Sequence, residues 1–196
     1  MAIQSITSQN ETYELITNSD LISAAHSLLD GIELDAASSA LANTYVQADN
    51  FFTPTDDGMN EKEWYGSVYV FPPHGTYFWD KKQQRWRITR TACPSVISSH
   101  ALWFRKMYRS WLDGSIKQGL YFTNCPDMIR YEQRIFDFPM CILRTPPRVL
   151  IHRGNGVVQN HKTCTSMLVY LPPVDSPGEA TEKFISIYER KGRLLV

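Results

Sequence analysis

Residues 67–75 read SVYVFPPHG. Val68, Tyr69, Val70 and Phe71 form a short, continuous apolar run of the kind that makes a buried strand. The run stops at two prolines, a histidine and a glycine. Each proline fixes φ and removes a backbone N–H, so the chain leaves the sheet rigidly just past Phe71. A carbonyl beside a proline stays available to a ligand, His74 projects over the sheet edge, and Gly75 lets the backbone pass close to something. Such a turn suits capture of a planar heterocycle with an exocyclic amine.

Working outward, SDLISAAHSLLDG (19–31) predicts a helix with Leu21, Ile22, Ala25, Leu28 and Leu29 on one stripe and Gly31 at its end. IELDAASS (32–39) predicts a short strand leading to small residues, and ALANTYVQADNFFT (40–53) a helical turn and a second strand. DDGMNEKEWYG (56–66) is a polar connection with turn chemistry at Asp57-Gly58. Residues 76–98 read as an irregular, basic insertion. SSHALWFRKMYRSWLDG (98–114) is the clearest helix, with Phe104, Met107, Tyr108, Trp111 and Leu112 on one face and Arg105, Lys106 and Arg109 largely off it. QGLYFTN predicts a strand and CPDMIRYEQRI a short helix. MCIL, VLIH and TSMLVYL predict further strands, the last two flanking the turn-rich RGNGVVQNH. A final helix opens at Ser176-Pro177 and closes at Gly192.

Helices alternating with short apolar strands predict an α/β fold, mostly parallel, with a hairpin toward the C-terminal end. Sites in such sheets lie beyond the carboxyl ends of the strands, which is where LDAASS and FPPHG fall. The 196 residues, 43% of them hydrophobic, are enough for one domain with a real core. No apolar stretch approaches the roughly 20 residues of a membrane span, and the polar start lacks signal-peptide character. Cys93, Cys125, Cys141 and Cys164 form no C-x-x-C pair, and the simplest reading is a reduced, cytoplasmic protein. His161 and Cys164 lack a second pair at ligand spacing, so no metal site is expected.

The zero net charge hides an asymmetry. Residues 1–79 carry one Lys against eleven acids, whereas residues 80–153 carry fourteen Lys or Arg against five. The basic block could face a polyanion, or face the acidic part within the fold. Lys81, Lys82, Arg85, Arg87 and Arg90 are interleaved with Trp79 and Trp86, and aromatics among cations can stack bases while neutralising phosphates.

The stretch from IELDAASS to FPPHG (32–75) resembles, in order and spacing, the phage-type DNA adenine-N6-methyltransferase (Dam-like) family. That family has an Asp-x-Ala-Ser element, an Asn, an Asp-Gly and Trp-x-Gly approach, and an Asn-Pro-Pro-Tyr type of turn. The similarity continues more weakly to the strand TSMLVYLPP and covers residues 12–173. It implies a single Rossmann-like methyltransferase domain using S-adenosylmethionine and acting on DNA. Asp35, Ala36 and Ser38 look like the cofactor-side element, and Thr17, in YELITN, matches part of the family's N-terminal Trp-x-Thr-Pro element. Phe71, Pro72, Pro73 and His74 look like the target-base pocket.

An active enzyme of this kind extrudes an adenine from the duplex. The Pro72 carbonyl would then accept from the amine, and His74 would stack or help manage a proton. Phe71 is the main departure, because the family has Asn or Asp there to accept from the amine. Losing such an acceptor costs about two to three orders of magnitude in rate. The resemblance therefore implies reduced or altered activity, or alternatively a catalytically silent module binding nucleic acid or a protein partner.

Overall fold

The computed structural model describes residues 2–5, 12–60, 62–89, 96–145, 147–153, 158–162 and 165–196. Strands β1 (Ala2–Ser5) and β2 (Thr12–Thr17) precede helix α1 (Ser19–Leu29), β3 (Leu34–Asp35), α2 (Ala40–Val46), β4 (Asn50–Phe51) and β5 (Gly66–Val70). Then come β6 (Thr76–Asp80), β7 (Arg85–Thr89), β8 (Ile97–Ser98), α3 (Ser99–Leu112) and β9 (Ile116–Thr123). Two 3-10 turns, Pro126–Arg130 and Gln133–Asp137, lead to β10 (Met140–Leu143), β11 (Arg148–Arg153) and β12 (Val158–Lys162). The chain closes with β13 (Met167–Leu171), α4 (Pro177–Tyr188) and β14 (Gly192–Leu195).

The main sheet has seven strands in the order β14-β10-β13-β9-β5-β3-β4. β4, β3, β5 and β9 are mutually parallel neighbours, while β13, β10 and β14 join by antiparallel pairings. The sheet is therefore largely parallel in strand direction, in a mixed α/β fold. A separate antiparallel sheet, β1-β2-β11-β12, and a small one, β7-β6-β8, complete the architecture.

Strand alternation divides the interior in two. On β5 and β9, Tyr69, Phe71, Leu120 and Phe122 face α1 and α4, where they pack with Leu28, Phe184 and Tyr188. Val68, Val70 and Tyr121 face the other way, against Ala101, Phe104 and Met107 of α3. Fully burying side chains of this size contributes about 1.5–3 kcal/mol each, so the two layers dominate the fold's stability.

Helix α1 forms where the apolar stripe predicts it. Its cap is Asn18, whose side chain accepts from Leu21 N at 3.2 Å, and it ends at Asp30 in the left-handed region, followed by Gly31 at φ 106.

Several expectations are corrected. Residues 76–98 are not irregular where described: β6 and β7 form a hairpin pairing Tyr77 with Ile88 and Trp79 with Trp86, and β8 pairs with β6. These apolar positions alternate with Asp80, Arg85 and Arg87, so the charges obscure a period-2 pattern. VLIH does not pair with TSMLVYL. It belongs to β11, which runs between β2 and β12, while β13 lies between β10 and β9. The last helix stops at Tyr188, and Gly192 opens β14 instead of capping. CPDMIRYEQRI yields 3-10 turns, not one short helix.

Candidate functional site

The parallel strands reverse their order of addition at β3. From β3 the chain adds β4 on one side and then β5 on the other, which makes the β3/β5 junction a topological switch point. Asp35 is in register with Tyr69, and Ala36 N donates to Tyr69 O at 3.2 Å. LDAAS and FPPHG therefore leave the sheet side by side. Ser38 N donates to Phe52 O at 2.8 Å, which carries the first loop along the β4 end.

A chamber of about 460 Å3 opens beyond these strand ends. Ala36, Ala37 and Ser38 line it from the first loop and Pro73 from the second. Phe52, Asp57, Gly58 and Asn60 form a further wall, and Trp103 of α3 closes the back. The hairpin covers it with Tyr77, Arg85, Trp86, Arg87 and Ile88. Gly58 is needed where it stands, because a Cβ there would lie 2.5 Å from the Ala36 carbonyl oxygen. The hairpin is tied down through Asn60, whose Oδ1 accepts from Trp86 N at 2.8 Å while its Nδ2 donates to Trp86 O at 3.0 Å. Arg85 pairs with Asp57, and Trp79 meets Trp86 edge-on at 5.3 Å.

The residues expected to bind a cofactor are divided. Ala36 and Ser38 line the chamber, and the Ser38 hydroxyl, in a residue 2% exposed, has no hydrogen-bond partner among the described residues. Asp35 does not reach the chamber. By strand alternation its side chain faces α1, and Oδ1 accepts from Ala37 N at 3.3 Å. Thr17 lies on that same side, with its hydroxyl 2.9 Å from the Tyr69 hydroxyl. Burial, reinforced by Asp35 and Tyr188, pushes the Tyr69 phenol well above its ordinary pKa against the pull of the Thr17 hydrogen bond.

The expected base pocket is also split. Pro73 alone lines the chamber. Pro72 is buried, and Phe71 is fully buried on the α1 face, with its ring 4.6 Å from Phe122. His74 turns toward His100 at the start of α3, the rings standing 4.9 Å apart at a steep angle. His100 is anchored by Nδ1, 2.8 Å from Thr123 Oγ1, and by its carbonyl, which accepts from the Tyr121 hydroxyl at 2.5 Å. Among the described residues neither histidine's Nε2 has a hydrogen-bond partner. Burial lowers the pKa of His74, and burial together with His74 lowers that of His100 further. Both rings are therefore uncharged at neutral pH.

Of the expected nucleic-acid residues, Lys81 and Lys82 are exposed on the hairpin turn, whereas Arg85, Trp86 and Arg87 line the chamber mouth. Arg87 reaches Asp80 at 3.4 Å. Arg90 lies outside the described residues, as do Cys93 and Cys164. Among the described residues no cluster of His, Cys, Asp or Glu is placed to hold a metal ion, and no helix is long and apolar enough to cross a membrane. His100, Asn60 and Trp103 escape a reading of the sequence. Asp57-Gly58 alone carries a local signal there, as a turn.

No protein-family model matches the chain, nor does any curated protein or solved structure.

Proposed function

We propose that this chain is a Rossmann-like methyltransferase domain of the S-adenosylmethionine-dependent, DNA adenine-N6 type, with reduced activity, whose chamber receives a nucleoside. One observation carries the reading. The chamber at the β3/β5 switch point is lined together by Ala36 and Ser38, by Pro73, and by Arg85, Trp86 and Arg87. These are parts of the three sets that the family resemblance and the basic hairpin single out. The 2-1-3-4 order of the parallel strands agrees with doubly wound folds that bind ligands at such crevices.

The chamber's chemistry fits a nucleoside. The small floor of Ala36 and Ala37 admits a ribose closely, and the unmatched Ser38 hydroxyl can serve one of its oxygens. The indoles of Trp86 and Trp103 offer stacking surfaces. When bound, S-adenosylmethionine supplies an electrophilic methyl group. The chain's own part is to hold the acceptor base, exclude water and present an acceptor to the amine. The resemblance gives that role to the Pro72 carbonyl, but of the turn only Pro73 lines the chamber, and the Phe71 side chain offers no acceptor.

The burial of Phe71 on the opposite face favours a second reading, a silent module that binds nucleic acid or a protein partner without turnover. Three measurements separate the readings. Calorimetry with S-adenosylmethionine and its demethylated product tests cofactor binding, fluorescence anisotropy tests DNA binding, and transfer of labelled methyl to DNA tests turnover. Binding heat with labelled DNA supports the first reading, binding of DNA without product supports the second, and neither binding nor product defeats both.

A further inference from the structure

Lys106 lies off the apolar stripe of α3, yet its ammonium is turned inward. Nζ donates to the carbonyl oxygens of Gly58 at 2.6 Å, Met59 at 3.0 Å and Lys62 at 2.6 Å. All three of its protons are thus matched by backbone acceptors of one loop. The ammonium also stands 5.4 Å from the centroid of the Trp64 ring, and Trp64 Nε1 donates to the same Gly58 carbonyl at 2.9 Å. The other side of this loop is the chamber wall. Gly58 is wedged against Ala36, Asp57 pairs with Arg85, and Asn60 grips both backbone groups of Trp86. A continuous series of polar contacts therefore runs from α3, through the loop, to the hairpin.

We propose that Lys106 is a positioning residue of the chamber: its ammonium holds the loop carrying Asp57, Gly58, Asn60 and Lys62, and through Asp57 and Asn60 keeps the β6–β7 hairpin over the mouth. The proposal takes the chamber as the ligand site argued above, but the holding of the loop can be read without any ligand. Rescue by another charged donor supplies a signature that mere packing lacks. Burial lowers the pKa of Lys106 to about 8, against the opposing pull of Asp57 and Glu63 from the loop side. Arg85, paired with Asp57, is the other charge facing this region.

Limited trypsin digestion reads the loop directly, because the bond after exposed Lys62 includes a carbonyl that Lys106 holds. The cut after Arg190, exposed on the turn between α4 and β14, serves as the internal reference. In Lys106→Met, the cut after Lys62 accelerates about tenfold relative to that reference, the order expected for losing buried hydrogen bonds to a charged donor. Lys106→Arg, which keeps charge and donors, restores slow cutting.

An unchanged ratio in Lys106→Met, or failure of Lys106→Arg to restore slow cutting, overturns the proposal. Equal acceleration of all cuts, including the one after Lys117 within β9, also overturns it, because that marks general loss of stability. With 2′-deoxyadenosine and tryptophan fluorescence as the readout, the Met variant binds about tenfold more weakly than wild type. Failure of the nucleoside to bind either protein counts against the chamber reading, while the proteolysis result still decides the role of Lys106.

Discussion

Phe71→Asn introduces the residue that the DNA adenine-N6-methyltransferase family, which the sequence resembles, carries before two prolines, and a motif comparison expects it to raise activity. The structure leads to the opposite expectation. Phe71 is fully buried, in contact with Phe122 and edge-on to His74 and His100. Truncating a buried Phe costs about 3–5 kcal/mol once the residual cavity is included. Asparagine fills part of that cavity but brings a buried amide. An amide left unmatched adds about 1–3 kcal/mol, and pairing with the nearby imidazole nitrogens offsets part of it. A net loss of about 3–5 kcal/mol is therefore expected, a large fraction of a small domain's stability. Urea denaturation of both proteins at neutral pH, with linear extrapolation, measures it, and methyl transfer to DNA should not rise. A variant within about 1 kcal/mol of wild type, with increased product, would refute the placement of this side chain and the separation of Phe71 from the chamber.

Three further predictions concern neighbouring features. The uncharged histidine pair makes the fold acid-sensitive: unfolded histidines take up protons below about pH 6.5, whereas His74 and His100, with lowered pKa values, do so only at lower pH. Stability contributed by the pair is thus present above pH 6.5 and is lost on acidification, and His74→Gln should flatten the fall in urea midpoint between neutral pH and about pH 5. Gly58→Ala drives a methyl against the Ala36 carbonyl, and a cost of about 1–3 kcal/mol should appear as a lowered Tm together with weaker nucleoside binding. If the hairpin meets DNA, Lys81→Ala and Lys82→Ala should each reduce the slope of log affinity against log salt by about 1 without altering sequence preference, as measured by fluorescence anisotropy at several salt concentrations.

Local chemistry was the legible part of this chain. Proline at 72 and 73 announces the end of β5, the stripe from Leu21 to Leu29 announces α1, and the alternation of helices with apolar runs announces a sheet whose carboxyl ends carry the site. Facing was harder to read. Consecutive residues of a strand point to opposite sides, which separates Asp35 from Ala36. The strand ends at Val70, and the two prolines redirect the chain so that a motif taken as one pocket leaves Phe71 in the α1 core and Pro73 at the chamber. The hairpin was hidden because charged residues occupy one face of a strand pair whose other face is Tyr77, Trp79, Trp86 and Ile88. Asn60 and Lys106 gave no signal for these roles, since the hairpin partner of Asn60 lies 26 residues away and the partners of Lys106 lie 44 to 48 residues away. No local pattern encodes contacts at such separations.

The most direct measurement is a crystal structure of the protein soaked with 2′-deoxyadenosine and, separately, with demethylated S-adenosylmethionine. Nucleoside density beneath the hairpin, within reach of the Ser38 hydroxyl and against the Trp86 indole, is the expected result. Density on the α1 side beside Asp35 and Thr17, or an empty chamber at saturating ligand, would contradict it.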